Sequence, residues 1–379
     1  MYYLFFISIA FALFLNTNIG TALGFSNLTT MALLPMAFYI AITLCTQKFQ
    51  HYSKIAISLL ILAIVILLFK WTVGQNYAMY VGQLLIVPSF MYICFEHLTK
   101  QQLSMLRCMM ILFFILFCVL AIAERVMSRH FFPVMVETME WEMNLGFFRS
   151  KSLFNHPLHS AYFVAVTMAY MVVAEFKKKY FQVFLFFLGY LALFCFDGRV
   201  AILTVTLIIL PYFILKLYKT AGESRWMITL GVICVLFGMV YIVSNTSVGS
   251  GRLMGIDLMD SSGQSRLEVF DFYKHYKHEN DFLWGHPDNK KYIKDRLGAA
   301  GIENGIIAFI LEFGIILTPI LLFSLFLLQY ISLSVFSKFD QWILLLVFFV
   351  LGSSNPHLAA PINWIYWVLT YFAYKPENP

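Results

Sequence analysis

Apolar runs long enough to cross a bilayer recur from one end of this chain to the other, and no other feature restricts its fold so strongly. A hydrocarbon core is about 30 Å thick, which a helix of about 20 residues crosses. The runs lie near residues 2–15, 29–46, 55–69, 77–95, 105–123, 159–175, 181–196, 200–215, 227–243, 304–332, 341–352 and 362–374. They predict an all-α polytopic membrane protein of about twelve transmembrane helices, with residues 1–379 as a single integral membrane domain. Charged residues make up 12% of the chain and hydrophobic ones 61%, whereas a soluble domain carries about 25% charge. No basic residue precedes the first run, since the first charge is Lys48, and no small-residue cleavage site follows it. It reads as a retained span, not a signal peptide.

Orientation follows from Lys and Arg in the short connections. One alternate set holds Lys48, Lys54, Lys100, Arg107, Lys177, Lys178, Lys179, Lys216, Lys219, Arg225, Lys338 and Lys375, while the opposite short connections hold only Lys70 and Arg199. Both termini are therefore expected in the cytoplasm, with segments 124–158 and 244–303 outside. The net charge of +6 reflects this bias, and no nucleic-acid partner is expected. Cys45, Cys94, Cys108, Cys118, Cys195 and Cys234 all fall in or beside apolar runs without paired spacing. They read as small apolar residues, with no disulfide framework and no metal cluster.

Segment 244–303 is as charged as a soluble protein, with eight basic against nine acidic side chains. Its Gly- and Ser-rich first part reads as loop. Ser265-Arg266-Leu267-Glu268 then has the S-x-x-E capping pattern, and Val269, Phe272, Tyr273 and Tyr276 follow at i, i+3, i+4 and i+7. That spacing predicts an amphipathic helix on the outer membrane surface. Arg266 falls in its first turn, where orphan N–H groups already favour anions, so it either reinforces a phosphate site or solvates a helix end.

Segment 124–158 closes on Arg149-Ser150-Lys151-Ser152-Leu153-Phe154-Asn155-His156-Pro157. Asn155 and Pro157 disfavour helix, so Arg149 and Lys151 are expected on irregular backbone. Snorkelling to the interface is the alternative to a binding role. His156 and His159 could relay protons or could simply be hydrogen-bonded loop residues. Asp197-Gly198-Arg199 makes a very short turn between two runs. A charged pair there either stabilises the turn or binds something. Glu303-Asn304 opens a run reaching about Ile331, about 42 Å if straight, so tilt or a break at Gly314 or Pro319 is expected. Glu312 lies inside that run, where a structural, hydrogen-bonded role ranks above a proton relay.

Together these residues resemble the bacterial O-antigen polymerase and ligase superfamily, over roughly residues 145–320. Arg149 through Ala161 resembles the family's Arg, then Phe-x-Asn-Pro-like, start of a span. Asp197-Gly198-Arg199-Val200-Ala201 is similar to its Ser-Arg-Gly/Ala turn, and Ser265 to Phe270 to its Gly/Ser-Arg-x-x-Ile-Trp helix start. Leu283-Trp284-Gly285-His286 is similar to its Phe-x-Gly element. Glu303-Asn304 followed after eight residues by Glu312-Phe313-Gly314 resembles His-Asn-x8-Glu-x-Gly at the same spacing.

The resemblance implies a GT-C-like membrane glycosyltransferase of the bacterial inner membrane, with a large helical periplasmic loop over 244–303 and an active site facing the periplasm. Its substrates would be undecaprenyl-diphosphate-linked glycans, with a chain-length regulator and a flippase as possible pathway partners. Glu303, Arg199 and Arg266 are the expected catalytic residues. Arg149, Lys151, Asn304, His156 and His286 are the expected substrate-binding ones. Ligases that load lipid A core typically carry His at the place of Glu303, which favours a polymerase. The chain has no Asp-x-Asp motif, and its first outer connection, 16–27, has no carboxylate. Metal-independent, inverting transfer without a cofactor is therefore expected. A ligase and, in another class, a lipid-linked glycan transporter are the rival readings.

Overall fold

The computed structural model describes residues 2–15, 17–23, 28–46, 54–72, 74–75, 81–132, 148–154, 156–174, 176, 178–220, 237, 241, 279–286, 288–289, 292, 304–354 and 361–376. Among them the structure is helical and contains no strand. Among the described residues four helices are long and apolar enough to cross a membrane: Lys100–Met127, Lys179–Phe196, Arg199–Lys219 and Gly305–Val335. Shorter apolar helices cover Tyr2–Leu15, Leu34–Thr46, Ala56–Thr72, Leu84–Phe95 and Pro157–Val173. The chain is a helical membrane protein, and four of the expected spans have the full length. The run at 227–243 and the amphipathic helix over 265–276 fall outside the described residues, apart from single positions.

Contacts gather into two compact units, one from 1–45, 99–256 and 369–378, the other from 46–98 and 257–368 together with Pro379. In the first, α1 (Tyr2–Ala10), α2 (Asn18–Ala22) and α3 (Leu28–Thr46) precede the long α6 (Lys100–Met127). Then come α7 (Pro157–Val173), α8 (Lys179–Phe196) and α9 (Arg199–Thr204), the last continuing through a π-turn at Val205–Ile209 into α10 (Leu210–Thr220). Thr99 starts α6 with a capping box. Its hydroxyl accepts the Gln102 N–H at 3.3 Å, and the Gln102 side chain accepts the Thr99 N–H at 3.0 Å, pairing two donors a helix end leaves orphaned.

The two faces of α6 differ in what they meet, not in polarity. Phe113, Phe117 and Cys118 are buried, while Leu112, Leu116 and Val119 are exposed, as lipid-facing residues are. The inner face joins an aromatic cluster in which Phe117 meets Phe154, Phe163 and Phe196 with ring centroids 4.8, 5.2 and 5.8 Å away. Helix α7 is buried along almost its whole length. Gly189 on α8 lets the helices close together, because a Cβ there would overlap Met168 and Phe114.

In the second unit α4 (Lys54–Thr72) packs against α5 (Val87–Phe95), and α11 (Glu279–Trp284) against α12 (Gly305–Ser332), which also contacts α13 (Lys338–Ser354). A last helix, α14 (Pro361–Tyr374), follows. Trp367 on α14 donates its indole N–H to Gln329 at 2.8 Å, so a buried polar pair is satisfied inside an apolar layer. Helix α12 is interrupted at Gly314, whose φ of 76° and ψ of 169° are non-helical. Of the two breakpoints expected from its length, the glycine is the one that opens. Pro319 lies inside the helix that continues.

Candidate functional site

Helix α6 runs four residues beyond the apolar run read from sequence, ending on Ser128 in the left-handed region with φ 49°. The extension carries Glu124 and Arg125 into the interior, each almost inaccessible to solvent. Glu124 Oε2 accepts the backbone N–H groups of Lys151 at 2.9 Å and Ser152 at 2.8 Å. Its Oε1 accepts the Phe131 N–H at 3.2 Å, and His130 Nδ1 lies 3.8 Å from Oε2. One carboxylate thus supplies acceptors for a segment that makes no helix and would otherwise bury bare N–H groups.

Further bonds fix that segment, residues 149–154. Ser150 and Ser152 donate their hydroxyls to the Ala121 and Phe117 carbonyls at 2.7 Å each, and Ser160 donates to the Lys151 carbonyl at 2.7 Å. The Ser150 N–H reaches the Cys195 carbonyl at 3.0 Å, and Asn18 donates to the carbonyls of Leu153 and Phe154 at 2.7 and 3.0 Å. The result is a strap held by side chains and termini of its neighbours, with Ser152 at φ 55°.

Arg149 and Lys151 sit on irregular backbone, as their sequence context suggested. Their side chains do not snorkel to a surface, however, since both are buried. The reason lies at the end of α8. Arg149 donates from Nε and Nη2 to the Phe196 carbonyl at 3.2 and 3.1 Å, and from Nη2 to the Asp197 carbonyl at 3.4 Å. These carbonyls belong to a helix C-terminus, where acceptors lack partners and the dipole is negative, so a guanidinium is stabilised there.

Asp197 ends α8 with φ 53°, and Arg199 begins α9 two residues later. Gly198 between them is pressed against α7, where a Cβ would overlap that of Ala161. The three short motifs thus converge within one unit: the strap carrying Arg149 and Lys151, the His156–Pro157 start of α7, and the turn carrying Arg199. Arg199 is partly exposed, unlike Arg149.

His156 takes the second of the two parts open to it, that of a hydrogen-bonded residue before the helix. Its Nδ1 accepts the Leu158 N–H at 3.2 Å, so it caps α7 directly before Pro157. Burial first, then electrostatic coupling to His159, Arg149 and Lys151, pushes its pKa down to about 3. At neutral pH it is uncharged and adds no positive field for an anion.

The second unit holds the other described candidates. Asn304 caps α12, its Oδ1 accepting the N–H groups of Ile306 and Ile307 at 3.0 and 3.1 Å. Ten residues on, the break at Gly314 frees carbonyls, and donors from elsewhere in the unit take them up. His286 N–H reaches the Leu311 carbonyl at 3.0 Å and Asn289 Nδ2 reaches it at 3.2 Å. Lys70 Nζ donates to the Glu312 carbonyl at 2.7 Å, the Trp284 carbonyl at 2.7 Å, Gln75 Oε1 at 3.1 Å and the Gly285 carbonyl at 3.4 Å. His286 thus enters the structure through its backbone, while its Nδ1 accepts the Asp288 N–H at 3.2 Å. Arg266 and Glu303 lie outside the described residues.

Glu124, Lys70, Gln75 and Asn289 are the contributors that sequence reasoning passed over. Lys70 left a signal, being one of only two basic residues in the outer short connections; the other is Arg199. Glu124 left a weaker one, as a carboxylate directly at the end of an apolar run. Among the described residues Cys45, Cys94, Cys108, Cys118 and Cys195 are free thiols. No family model, no curated protein and no solved structure matches the chain.

Proposed function

We propose that the chain is a glycosyltransferase polymerising undecaprenyl-diphosphate-linked repeat units at the outer face of the bacterial inner membrane. The observation that carries this reading is the convergence of Arg149, Lys151 and Arg199 at one end of α7 and α8, the first two of them cations that a membrane protein does not bury without need. A diphosphate leaving group gathers negative charge as its bond to the sugar breaks. Guanidinium groups offer it bidentate and permanently charged partners. In this reading Arg199 and Arg266 contact the diphosphate, while Arg149 holds the Arg199 turn and, with Lys151, supplies positive potential.

The acceptor hydroxyl attacks the anomeric carbon of the donor sugar as the bond from that carbon to the diphosphate oxygen breaks. Its proton passes to the Glu303 carboxylate. Asn304, whose Oδ1 is committed to the helix cap, keeps its amide nitrogen for a sugar oxygen. Single displacement inverts the anomeric centre.

The break in α12 favours a second reading, because discontinuous helices with freed carbonyls line substrate paths in transporters. Against it, the Leu311 and Glu312 carbonyls are already taken by His286, Asn289 and Lys70. The deciding experiment measures glycan chain length in cells carrying Arg199→Ala, Arg266→Ala or Glu303→Gln at matched membrane levels. Loss of long chains is expected from all three. Normal ladders from all three refute the site, and accumulation of unflipped lipid-linked repeat units supports the transporter.

A further inference from the structure

Lys70 is fully buried on α4, at the end of an apolar helix, yet its ammonium is surrounded by acceptors. Three are main-chain carbonyls, two of them from the α11 end and the turn after it (Trp284, Gly285), and the third from the broken stretch of α12 (Glu312). The carboxylates of Glu312 and Asp281 add electrostatic attraction, and the Phe313 ring centroid lies 5.7 Å from Nζ. Gln75 completes the arrangement, donating to the Gly285 carbonyl at 3.0 Å while accepting from Lys70.

The backbones bridged by this cation pack directly on one another. Gly285 has φ 72° and Gly314 φ 76°. A Cβ on Gly285 would run into the Glu312 backbone, and one on Gly314 into the Leu283 and Trp284 backbone. Residues 305–313 therefore form a separate half-helix about 13 Å long. Asn304 caps its N-terminus, and its C-terminal carbonyls are closed by Lys70, Asn289 and the His286 N–H. A cation at that negative end is electrostatically favourable, and with the carbonyls satisfied the break is tolerated although it is buried.

We propose that Lys70 is a positioning residue that clamps the 305–313 half-helix through its C-terminal carbonyls and so sets the location of Asn304 at its other end. This rests on the glycosyltransferase reading for its catalytic consequence, though not for the clamp itself. Lys70 touches protein carbonyls and not the substrate, so its loss acts on the geometry of the reacting groups.

The test uses full-length protein in lipid nanodiscs, comparing wild type, Lys70→Met, Lys70→Arg and the milder Gln75→Met. Hydrogen exchange of the peptide containing the His286 N–H and transfer kinetics with a lipid-linked repeat unit are measured on the same samples. Losing a charged donor to buried carbonyls raises exchange at His286 about tenfold or more in Lys70→Met, with a smaller rise in Gln75→Met and partial recovery in Lys70→Arg. A kcat loss of about tenfold with KM changed by less than about twofold is expected, the pattern of a lost transition-state arrangement. Unchanged exchange in both Lys70→Met and Gln75→Met overturns the clamp. Raised exchange with normal kcat, or a raised KM with normal kcat, overturns the positioning role. Full activity of Glu303→Gln, with exchange still raised in Lys70→Met, overturns instead the reading on which that role rests.

Discussion

The Glu124 carboxylate accepts the Ser152 N–H at 2.8 Å across 28 residues of chain, and the same oxygen accepts the Lys151 N–H at 2.9 Å. Through that oxygen the end of a spanning helix holds the strap from which Arg149 reaches the Arg199 turn. Glu124→Ala leaves the Lys151, Ser152 and Phe131 N–H groups without this acceptor. A stability loss of about 2–4 kcal/mol is expected, read as a lower thermal midpoint in nanodiscs. Glu124→Gln, which keeps an acceptor oxygen, should lose clearly less. Equal midpoints for wild type and Glu124→Ala would show that the carboxylate does not hold the strap.

Arg199 is partly exposed at the start of α9, and in the proposed reaction it faces the departing diphosphate. Removing one donor to a developing charge costs about 100-fold or more in turnover, so Arg199→Ala should abolish long chains. Arg199→Lys keeps the charge but not the two-pronged geometry and is expected to fall between. Chain-length distribution at equal protein level checks the order, and a variant with Lys as poor as Ala would point to bidentate geometry as the whole effect.

His156 provides a pH test. Its folded pKa of about 3 lies below the ordinary 6.5, so the unfolded chain binds the extra proton more readily. Its contribution to stability is therefore complete above pH 6.5 and is lost as pH falls from 6.5 towards 3. The slope approaches about 1.4 kcal/mol per pH unit. His156→Asn retains a capping acceptor and should match wild type at pH 7.5 while losing less between pH 6.5 and 5.5. Parallel pH profiles of thermal midpoint would contradict an uncharged, half-buried His156.

Gly314 combines φ 76° with ψ 169°, a region open essentially only to glycine. Gly314→Ala carries a backbone cost of about 1–3 kcal/mol and a collision with Leu283 and Trp284. A lowered thermal midpoint is expected, together with faster hydrogen exchange around His286. Pro319→Ala, within the continuing helix, should leave exchange at His286 unaltered.

Several parts of this architecture could be read one residue at a time. A break at Gly314 or Pro319, the irregular backbone of 149–154 and the tight turn at 197–199 all follow from local rules about glycine, proline and the length a bilayer allows, though not which of the two residues opens. The destinations of the buried charges could not be read so. Lys70 meets Trp284 across 214 residues and Arg149 meets Phe196 across 47, and local patterning carries no record of such pairings. His156 was legible as a titratable group beside a proline but not as a helix cap, because that depends on where the Leu158 N–H points.

The sequence by itself determined that the chain is built of apolar helices and where the long ones run, because a hydrocarbon environment leaves a polar backbone few other ways to pair its own groups. Only the tertiary structure decided which cations are sealed inside and what they hold. A charge deprived of water must find acceptors wherever the packed fold presents them, and here those are orphan carbonyls at helix ends: Phe196 and Asp197 for Arg149, Trp284 and Glu312 for Lys70.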